Sequence, residues 1–585
     1  MPDSPRTVRP FPRRLCTAAA AVAILTLPGV VTGDTGPFHF VDRTEELGVD
    51  FRHRHFGTGE KYMPENMGPG VAILDVDGDG RLDLYFVQGA PVDPGAKVPA
   101  DATARLFRQR RDGTFEDVTQ ASGAGFRGVA MGVSFGDVDR DGDLDLYVTA
   151  FGGDAFLRNR GDGTFEDATA AVGLGKGGWS TGSTFFDPDG DGDLDLYVSS
   201  YVDFTPDNHK WCGKGQQKLR AYCHPDVYGA AGDVFYRNDG GRFVDAGRAA
   251  GIVPTPDGKG LGVLAGDVDG DGDQDLLVAN DSTMNYLYLG DGKGGFEESA
   301  LLAGVGFNAT GAAEAGMGVE MGDLDGDGRP ELLLTHLDQE TNTLYRPAGE
   351  GLWVDATEAS GLGPPSLPWV GFGVVLLDHD LDGDLDAFVA NGHIIDNIEQ
   401  FSPGRRHRQP AQLLENRGGR FYEVKGALDL PPLVGRGAAA GDLDRDGDLD
   451  LVVAQNDGDA RVLVNRGADG GRSLTVGLVG QASNPQGFGA RLELRTGKGE
   501  DGRVQTRFMK ASTSYLSQGP PEVVFGLGGA PRAEVLEIRW PSGQVDRHGP
   551  LDAGGVYTFT EGATSGDSND GSASDPDRRR DAGQR

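Results

Sequence analysis

Short apolar segments recur along the chain, and pairs of them flank runs in which every second residue is acidic. The segment before a run is rich in small and apolar residues, as in residues 132–135 (GVSF), and the segment after it resembles residues 146–148 (LYV). Residues of these types suit a pleated, half-buried surface. The pattern predicts a series of hairpins in which an acidic loop joins two strands.

A second pair of short strands follows most of these hairpins. Residues 156–167 place two such strands around an Asp-Gly turn, which is a strong local signal for a hairpin. Related segments begin near Leu106, Val234, Tyr286, Leu344 and Leu413. Four antiparallel strands in each unit of roughly 60 residues are typical of propeller blades. The chain is therefore predicted to be all-β, with a seven-bladed β-propeller followed by a small C-terminal β domain.

The seven acidic loops share the pattern D-x-D-x-D-G-x-x-[DE]. They begin at Asp75, Asp137, Asp187, Asp267, Asp323, Asp378 and Asp442, and we number them loops 1 to 7 in that order. Carboxylates at positions 1, 3, 5 and 9, with the backbone carbonyl of position 7, can surround a hard cation, and the glycine at position 6 permits the bend. Oxygen ligands in this number favour Ca²⁺ over zinc or copper. We expect about seven structural calcium ions.

The predicted ligand set consists of positions 1, 3, 5, 7 and 9 of each loop. It comprises Asp75, Asp77, Asp79, Arg81 and Asp83; Asp137, Asp139, Asp141, Asp143 and Asp145; Asp187, Asp189, Asp191, Asp193 and Asp195; Asp267, Asp269, Asp271, Asp273 and Asp275; Asp323, Asp325, Asp327, Arg329 and Glu331; Asp378, Asp380, Asp382, Asp384 and Asp386; Asp442, Asp444, Asp446, Asp448 and Asp450. Arg81 and Arg329 stand at position 7, where a backbone carbonyl would serve, and Glu331 replaces aspartate at position 9.

The N-terminal region also supplies a strand. Residues 38–44 resemble the outer strand of a repeat but follow no acidic loop, whereas the repeat that begins at Asp442 lacks its outer strand. We expect the N-terminal strand to complete the last blade, which would leave no open sheet edge.

Composition narrows the possible partners. The chain has 585 residues, 95 of them glycine, and a formal charge of -36. Nucleic acid and anionic membranes are therefore not expected as partners, because both would be repelled. Cations are expected instead, since the acidic residues cluster at regular positions.

The N-terminal residues indicate export. Residues 1–33 combine four arginines with a short apolar run, which predicts a signal peptide; a retained anchor is the alternative, and both the general and the twin-arginine export routes stay open. We expect no membrane span after cleavage, and a location outside the cell, in the periplasm or on the cell surface. Cys212 and Cys223 would then be disulfide-bonded, with a zinc pair beside His224 or two free thiols as alternatives. The polar tail 563–585 is predicted to be disordered.

The repeats resemble the FG-GAP or VCBS repeats of integrin α-subunit propellers over residues 34–470. Residues 471–562 resemble an ASPIC/UnbV domain through segments such as 487–491 (GFGAR), 514–518 (SYLSQ) and 540–543 (WPSG). A propeller followed by this module is the layout of the cartilage acidic protein family. Residues 391–393 (NGH) and the loop 212–228 also resemble insertions of that family. The resemblance implies calcium binding outside the cell and an adhesion or matrix role.

Candidate catalytic groups are few, so we expect no enzyme. The string 178–182 (GWSTG) leads into a strand, whereas a serine nucleophile on this motif needs a strand–turn–helix. His393, the pair His53 and His55, the basic run 405–408 (RRHR) and the tryptophans Trp211, Trp353 and Trp369 are the other candidates, each with a packing or solvated-loop interpretation beside it. The sequence favours a non-catalytic binding or adhesion scaffold for an extracellular glycan or protein. The alternatives are a secreted enzyme that cleaves polysaccharide or phosphoester, and a purely structural surface protein.

Overall fold

The computed structural model describes residues 40–175, 177–253, 257–467, 471–497, 502–563 and 569–570. The predicted signal peptide and most of the predicted tail lie outside these residues. Within them the chain is predominantly β, and the described residues form one compact unit.

Six antiparallel sheets of four strands follow one another along residues 71–423, each containing one acidic loop between its first two strands. Their strands are β2–β5 (Val71–Leu74, Asp83–Phe86, Arg105–Gln109, Phe115–Asp117); β6–β9 (Val129–Gly136, Asp145–Phe151, Ala155–Asn159, Phe165–Asp167); β10, β11, β14 and β15 (Ser180–Phe186, Asp195–Ser200, Val234–Asn238, Phe243–Asp245); β16–β19 (Gly260–Gly266, Asp275–Asn280, Tyr286–Gly290, Phe296–Glu298); β20–β23 (Val319–Gly322, Glu331–Leu334, Thr343–Gly349, Leu352–Asp355); β24–β27 (Gly371–Leu377, Asp386–Asn391, Gln412–Asn416, Phe421–Glu423).

The seventh sheet joins the two ends of this region. Its strands are β29 (Gly435–Gly441), β30 (Asp450–Gln455) and β31 (Arg461–Val464), then β1 (Phe40–Asp42) and β28 (Leu428–Asp429). Strand β1 pairs antiparallel with β31, with Val41 opposite Val464. The expected completion of the last sheet by the N-terminal strand is thereby confirmed.

The seven sheets contact one another in a closed cycle. The first strand of each sheet contacts the first strand of the next, and β29 of the seventh sheet contacts β2 of the first. A separate cluster of buried apolar side chains fills each space between neighbouring sheets. The core is thus divided among the sheet interfaces, as expected when each repeat buries its faces only against its neighbours.

The C-terminal region adds two four-stranded sheets and one short strand pair. The first sheet contains β35 (Glu522–Gly528), β32 (Arg472–Val479), β40 (Val556–Thr560) and β41 (Asn569–Asp570); the second contains β34 (Arg503–Phe508), β33 (Arg491–Thr496), β37 (Val535–Arg539) and β38 (Val545–His548); the pair is β36 (Arg532–Ala533) with β39 (Leu551–Asp552). Apolar residues alternate along β32 and β37, and among them Leu474, Val476, Leu536 and Ile538 are at most 1% exposed.

A segment of this C-terminal region enters the centre of the ring. Residues 514–518, which we call the central segment, pair with the first strands of different sheets. Ser514 N donates to Val319 O at 2.8 Å, and Gln518 N donates to Val71 O at 3.1 Å. A Cβ at Gly70 would come within 1.8 Å of Leu516 O, so only glycine allows this approach. The C-terminal region therefore completes the core of the ring.

The remaining elements are short. Six helices of four residues each occur in the described residues, α1–α6 (Pro64–Met67, Thr119–Ser122, Ala300–Ala303, Thr357–Ser360, Gly363–Ser366, Ile398–Phe401). Three 3₁₀ turns (Pro206–Asn208, Gly215–Gln217, Pro225–Val227) and a ribbon of β12 (Cys212–Lys214) with β13 (Leu219–Ala221) lie in an insertion after β11. None of the described helices has the length and hydropathy needed to cross a bilayer.

Candidate metal centres

Each acidic loop is folded by hydrogen bonds from its own backbone. The glycine at position 6 has φ between +84° and +101° in every loop, a conformation that strongly favours glycine. In all seven loops the N–H of this glycine donates to Oδ2 of the position 1 aspartate, at 2.8–3.1 Å. The glycine bend predicted from the sequence is therefore confirmed.

A second hydrogen bond is common to all seven loops. The N–H of position 7 donates to Oδ1 of the position 5 aspartate, at 2.8–3.2 Å. In loops 1 to 4, carboxylate oxygens from three aspartates of the same loop lie within 4.8 Å of one another. The backbone thus holds like charges close together, an arrangement that favours a bound cation.

The carboxylate at position 9 is buried and connects the loop to its own sheet. These seven side chains are 0–3% exposed. In six loops Oδ1 accepts a hydrogen bond from a backbone N–H of the third strand, at 2.6–2.9 Å. Glu331 is the exception, because its Oε1 instead lies 3.5 Å from Arg346 Nε. The longer side chain therefore changes the connection in loop 5.

Buried oxygens without a hydrogen-bond partner indicate that the loops fit a metal ion. Six of the loops contain one such carboxylate oxygen with no partner among the described residues. They belong to Asp77, Asp145, Asp195, Glu331, Asp378 and Asp448. Buried polar atoms are ordinarily satisfied, and hard oxygen donors in this number suit Ca²⁺.

Burial raises the pKa of many of these carboxyls. The pKa of Asp145 and of Asp195 is raised to about 8, and that of Asp83 to about 7, in each case mainly by burial. The charged form is disfavoured because burial removes it from water. A divalent cation in the loop would stabilise that charged form.

Loops 1, 5 and 6 differ in detail from the others. The side chains of Arg81 and Arg329 turn back to the position 5 carboxylates Asp79 and Asp327, so only their backbone carbonyls could serve a metal. In loop 6, His379 Nδ1 lies 2.5 Å from Asp386 Oδ2. Sequence reasoning missed this imidazole, which stands at the unrestricted position 2 of the pattern.

Amide side chains that the sequence analysis did not select connect five of the seven loops to the next sheet. Asn159 Nδ2, on the second sheet, donates to Val76 O of loop 1 at 2.9 Å. The amides of Asn238, Asn416, Asn465 and Gln109 make the same connection to loops 2, 5, 6 and 7, at 2.7–3.2 Å. A recurring Asn at the end of the third strand, as in the strings LRNRGDG and LENRGG, was the available signal.

The C-terminal region docks on the same edge of the sheets as the acidic loops. Arg491 Nη2 donates to Gly328 O at 2.9 Å, and Arg507 Nη2 donates to Gly383 O at 3.0 Å. Arg140 of loop 2 donates to Gln481 O at 3.0 Å, and Arg445 of loop 7 pairs with Glu522 at 2.7 Å. The conformation of the loops and the docking of the C-terminal region therefore depend on each other.

The other sequence candidates lie elsewhere. Cys212 and Cys223 form a disulfide, with their Cα atoms 5.2 Å apart, so the zinc and free-thiol alternatives are wrong. Ser180 begins β10, and its hydroxyl donates to Asp154 at 2.8 Å. Trp353 is buried, Trp369 is half-buried, and Trp211 is 50% exposed.

The three histidines of interest all lie at the edge opposite the acidic loops. His53 and His393 are each 3% exposed, and burial lowers the pKa of both to about 3. His55 Nδ1 accepts a hydrogen bond from Gly57 N at 2.8 Å. His53 Nδ1 accepts a hydrogen bond from Asp457 N at 3.2 Å and His393 Nδ1 accepts one from Ile395 N at 2.9 Å, so these two buried imidazoles serve as hydrogen-bond acceptors.

Two family models match the chain. The FG-GAP-like repeat model matches residues 75–148, 141–198, 267–334 and 323–389, which include loops 1 to 6, and the ASPIC and UnbV model matches residues 480–566. Loop 7 lies outside the matched repeats. The chain therefore contains FG-GAP repeats followed by an ASPIC/UnbV domain, as the resemblance implied.

Curated relatives carry the name cartilage acidic protein 1. The mouse protein (Mus musculus) is 24% identical over 487 residues, which cover 81% of this chain and 62% of the relative. The Xenopus tropicalis protein is 25% identical over 302 residues, covering 49% and 42%. The human protein (Homo sapiens) is 25% identical over 307 residues, covering 52% and 43%. The chain thus spans less than two thirds of the length of these relatives.

Similar solved structures share little sequence with the chain. One is a lectin from Agrocybe aegerita described as recognising non-reducing terminal N-acetylglucosamine, with 16% identity, coverage of 67% of this chain and 86% of the lectin, and a TM-score of 0.36. Another is BBS1N in complex with ARL6DN, with 10% identity, coverage of 68% and 92%, and a TM-score of 0.37.

Proposed function

Since the chain carries FG-GAP repeats followed by an ASPIC/UnbV domain and has homologues named cartilage acidic protein 1, we propose that it is an exported, calcium-binding, non-catalytic scaffold for binding or adhesion. The seven sheets are the blades of a β-propeller. The ligand is an extracellular glycan or protein. The single observation that carries the proposal is the hydrogen bond, common to all seven acidic loops, from the position 6 glycine to the position 1 carboxylate.

Calcium has a structural role in this proposal. Positions 1, 3, 5 and 9 would hold each ion through carboxylates and position 7 through its carbonyl. Bound Ca²⁺ would neutralise the crowded carboxylates, each pair of which repels by roughly 1 kcal/mol at 4 Å even in bulk water. Because the C-terminal region rests on the loops, the ions would also stabilise its docking. Affinities on the order of 10⁻⁵ to 10⁻³ M would suit an extracellular module.

Export is supported by the disulfide between Cys212 and Cys223, since such bonds persist in oxidising compartments. Residues 1–33 would be the signal peptide. A non-catalytic role is supported by the environments of the candidate groups. Ser180 contacts Asp154, and His393 is buried with a lowered pKa.

Chelation tests the structural role of calcium. Removal of calcium should lower the melting temperature by more than about 10 °C, because ions that bind only the folded state stabilise it by mass action. A melting temperature that is unchanged by chelator and by added calcium would overturn the structural role.

A capture experiment tests the binding role. The exported chain, immobilised in calcium, should retain a defined polysaccharide or secreted protein, and should release it when chelator is added. Release of shortened products from the polysaccharide would contradict the non-catalytic assignment. Retention of nothing from either class would contradict the scaffold role.

A further inference from the structure

Several sequence features without a role in the acidic loops converge at the opposite edge of the sheets. The insertion that contains the disulfide and the insertion after β25 contact each other there. Asn397 Nδ2 donates to Arg220 O at 3.0 Å, and Lys214 Nζ donates to Phe401 O at 3.2 Å. Helix α1 lies beside them, since Tyr222 Oη donates to Glu65 Oε2 at 3.1 Å.

These segments enclose a polar cavity of about 220 Å³. Its lining includes His55, Asn66, Tyr222, Arg408, Asn456 and Asp457. The volume lies below the roughly 300–1,000 Å³ of drug-sized pockets, so the ligand is limited to about one small ring.

Two side chains of the cavity are left with unsatisfied acceptors. Asn66 is 4% exposed and Asn456 is 5% exposed. Their amide nitrogens are used, because Asn66 Nδ2 donates to Ile394 O at 3.2 Å and Asn456 Nδ2 donates to Glu65 O at 3.0 Å. Neither Oδ1 has a hydrogen-bond partner among the described residues. Unsatisfied acceptors on two residues that line the cavity favour a ligand that donates hydrogen bonds.

The backbone at Asn66 is held by a buried cation. Arg436 is 0% exposed and donates through Nη2 to Asn66 O at 2.6 Å and through Nη1 to Gly392 O at 3.1 Å. Its guanidinium lies 3.9 Å from the ring centre of Phe372. The backbone that carries Asn66 thus rests on a buried support, as a pre-organised site requires.

The two insertions beside the cavity carry unpaired positive charge, while the cavity lining itself contains the carboxylates of Asp457 and of Asp396, which pairs with Lys61. Arg220 and Arg405 pair with Glu60 and Asp338. Five other basic side chains of the two insertions form no ion pair with a carboxylate in the part of the chain that the structure describes; they are Lys210, Lys214, Lys218, Arg406 and Arg408. Arg408 lines the cavity itself. An anionic group on the ligand would be attracted to this side.

We propose that this cavity binds one acidic sugar unit, a ring whose hydroxyls donate to Asn66, Asn456 and Asp457 and whose carboxylate or sulfate pairs with Arg408. The exposed Trp211, in the insertion that contains the disulfide, offers an aromatic face for a neighbouring sugar. The inference rests on the proposed binding function and assigns it a place and a ligand class.

The test is calorimetric titration of the full exported chain, saturated with calcium, with three probes: methyl β-glucuronide, glucose 6-sulfate and methyl β-glucoside. We expect saturable binding of at least one acidic probe, and binding of the neutral glucoside that is about tenfold weaker or more. Binding of the glucuronide alone identifies a carboxylate ligand, and binding of the sulfate alone identifies a sulfated one. No saturation with either acidic probe, or equal binding of the neutral one, overturns the inference.

Two variants and a matched control localise the site. Arg408→Gln should weaken binding of the acidic probe about tenfold or more, whereas Arg406→Gln, an exposed arginine of the same run that does not line the cavity, should change it less than about twofold. Ile394→Trp, which fills the cavity from its half-buried rim, should abolish binding. Equal effects of the two arginine variants, or wild-type affinity in a folded Ile394→Trp, overturn the inference.

The outcome is separable from that of the proposed function. If the immobilised chain captures a polysaccharide or protein while all three probes fail, only the acidic-sugar site is wrong. If it captures nothing and the probes fail, the scaffold function is wrong as well.

Discussion

The two edges of the seven sheets are constructed differently. At the edge with the acidic loops, the same two backbone hydrogen bonds recur in every repeat, and the C-terminal region covers the loops. At the opposite edge, two non-repeated insertions, one of them closed by a disulfide, meet beside helix α1 and enclose a polar cavity. Repetition therefore provides stability at one edge, while the departures from it provide a candidate recognition surface at the other.

The largest expected effect comes from opening the ring. Deletion of residues 36–46 removes β1 and the buried Phe40, which is 1% exposed. Loss of the Phe40 side chain alone should cost about 3–5 kcal/mol, and the open sheet should also weaken both edges at once. Urea unfolding of the deleted and intact chains gives the difference. An unchanged midpoint would show that the cycle of sheets does not depend on its N-terminal strand.

A smaller loss is expected from breaking one connection between neighbouring sheets. Asn159→Leu removes the donors to Val76 O and Leu144 O, and the residue is 2% exposed. Two buried carbonyls left without a donor should destabilise the chain by about 2–4 kcal/mol. The same urea experiment measures it. A loss below about 0.5 kcal/mol would mean that these amides contribute little to the loop edge.

The bend of a single loop can be tested by substituting two glycines in separate variants, one at the bend and one elsewhere as a control. Gly142 has φ +98°, and no atom lies within 4 Å of the Cβ that alanine would add, so Gly142→Ala probes the backbone conformation alone. The expected cost is about 1–2 kcal/mol, together with weaker calcium binding at loop 2. Gly349→Ala is the control, because its φ is not positive and its surroundings are equally open. Equal effects of the two substitutions would contradict the role of the bend.

The smallest effect concerns the opposite edge and depends on pH. Burial raises the pKa of Glu65 to about 7, so folding favours its protonated form, and the stability this contributes is lost as the pH rises from about 4.5 through 7. In saturating calcium, Glu65→Gln should match the wild type near pH 4.5 and should melt at a higher temperature near pH 8. Melting curves across this range measure it. If the melting temperatures of the two proteins changed in parallel with pH, the ionisation of Glu65 would not destabilise the folded state.

The difference between the edges also explains what the sequence could predict. Local or repeated sequence patterns predicted the strands, the acidic loops, the glycine bends and the completion of the seventh sheet. The disulfide was predicted from the expected export and the two remaining cysteines. The assignment of calcium to the loops stays a prediction.

Other features depend on contacts distant along the chain. The central segment was recognised only as a family motif, and its pairing with Val319 and Val71 could not be inferred from local pattern. The convergence of His55, Tyr222 and Arg408 at one cavity likewise joins residues more than 150 positions apart. The imidazole of His379 was overlooked because the repeat pattern leaves position 2 unrestricted.

Calcium titration of the chelator-treated chain tests the central claim most directly, namely that the recurring loops fold around divalent ions. We predict saturable uptake of about seven ions per chain by calorimetry, with affinities on the order of 10⁻⁵ to 10⁻³ M. Failure to detect any saturable uptake by the folded chain would contradict the account.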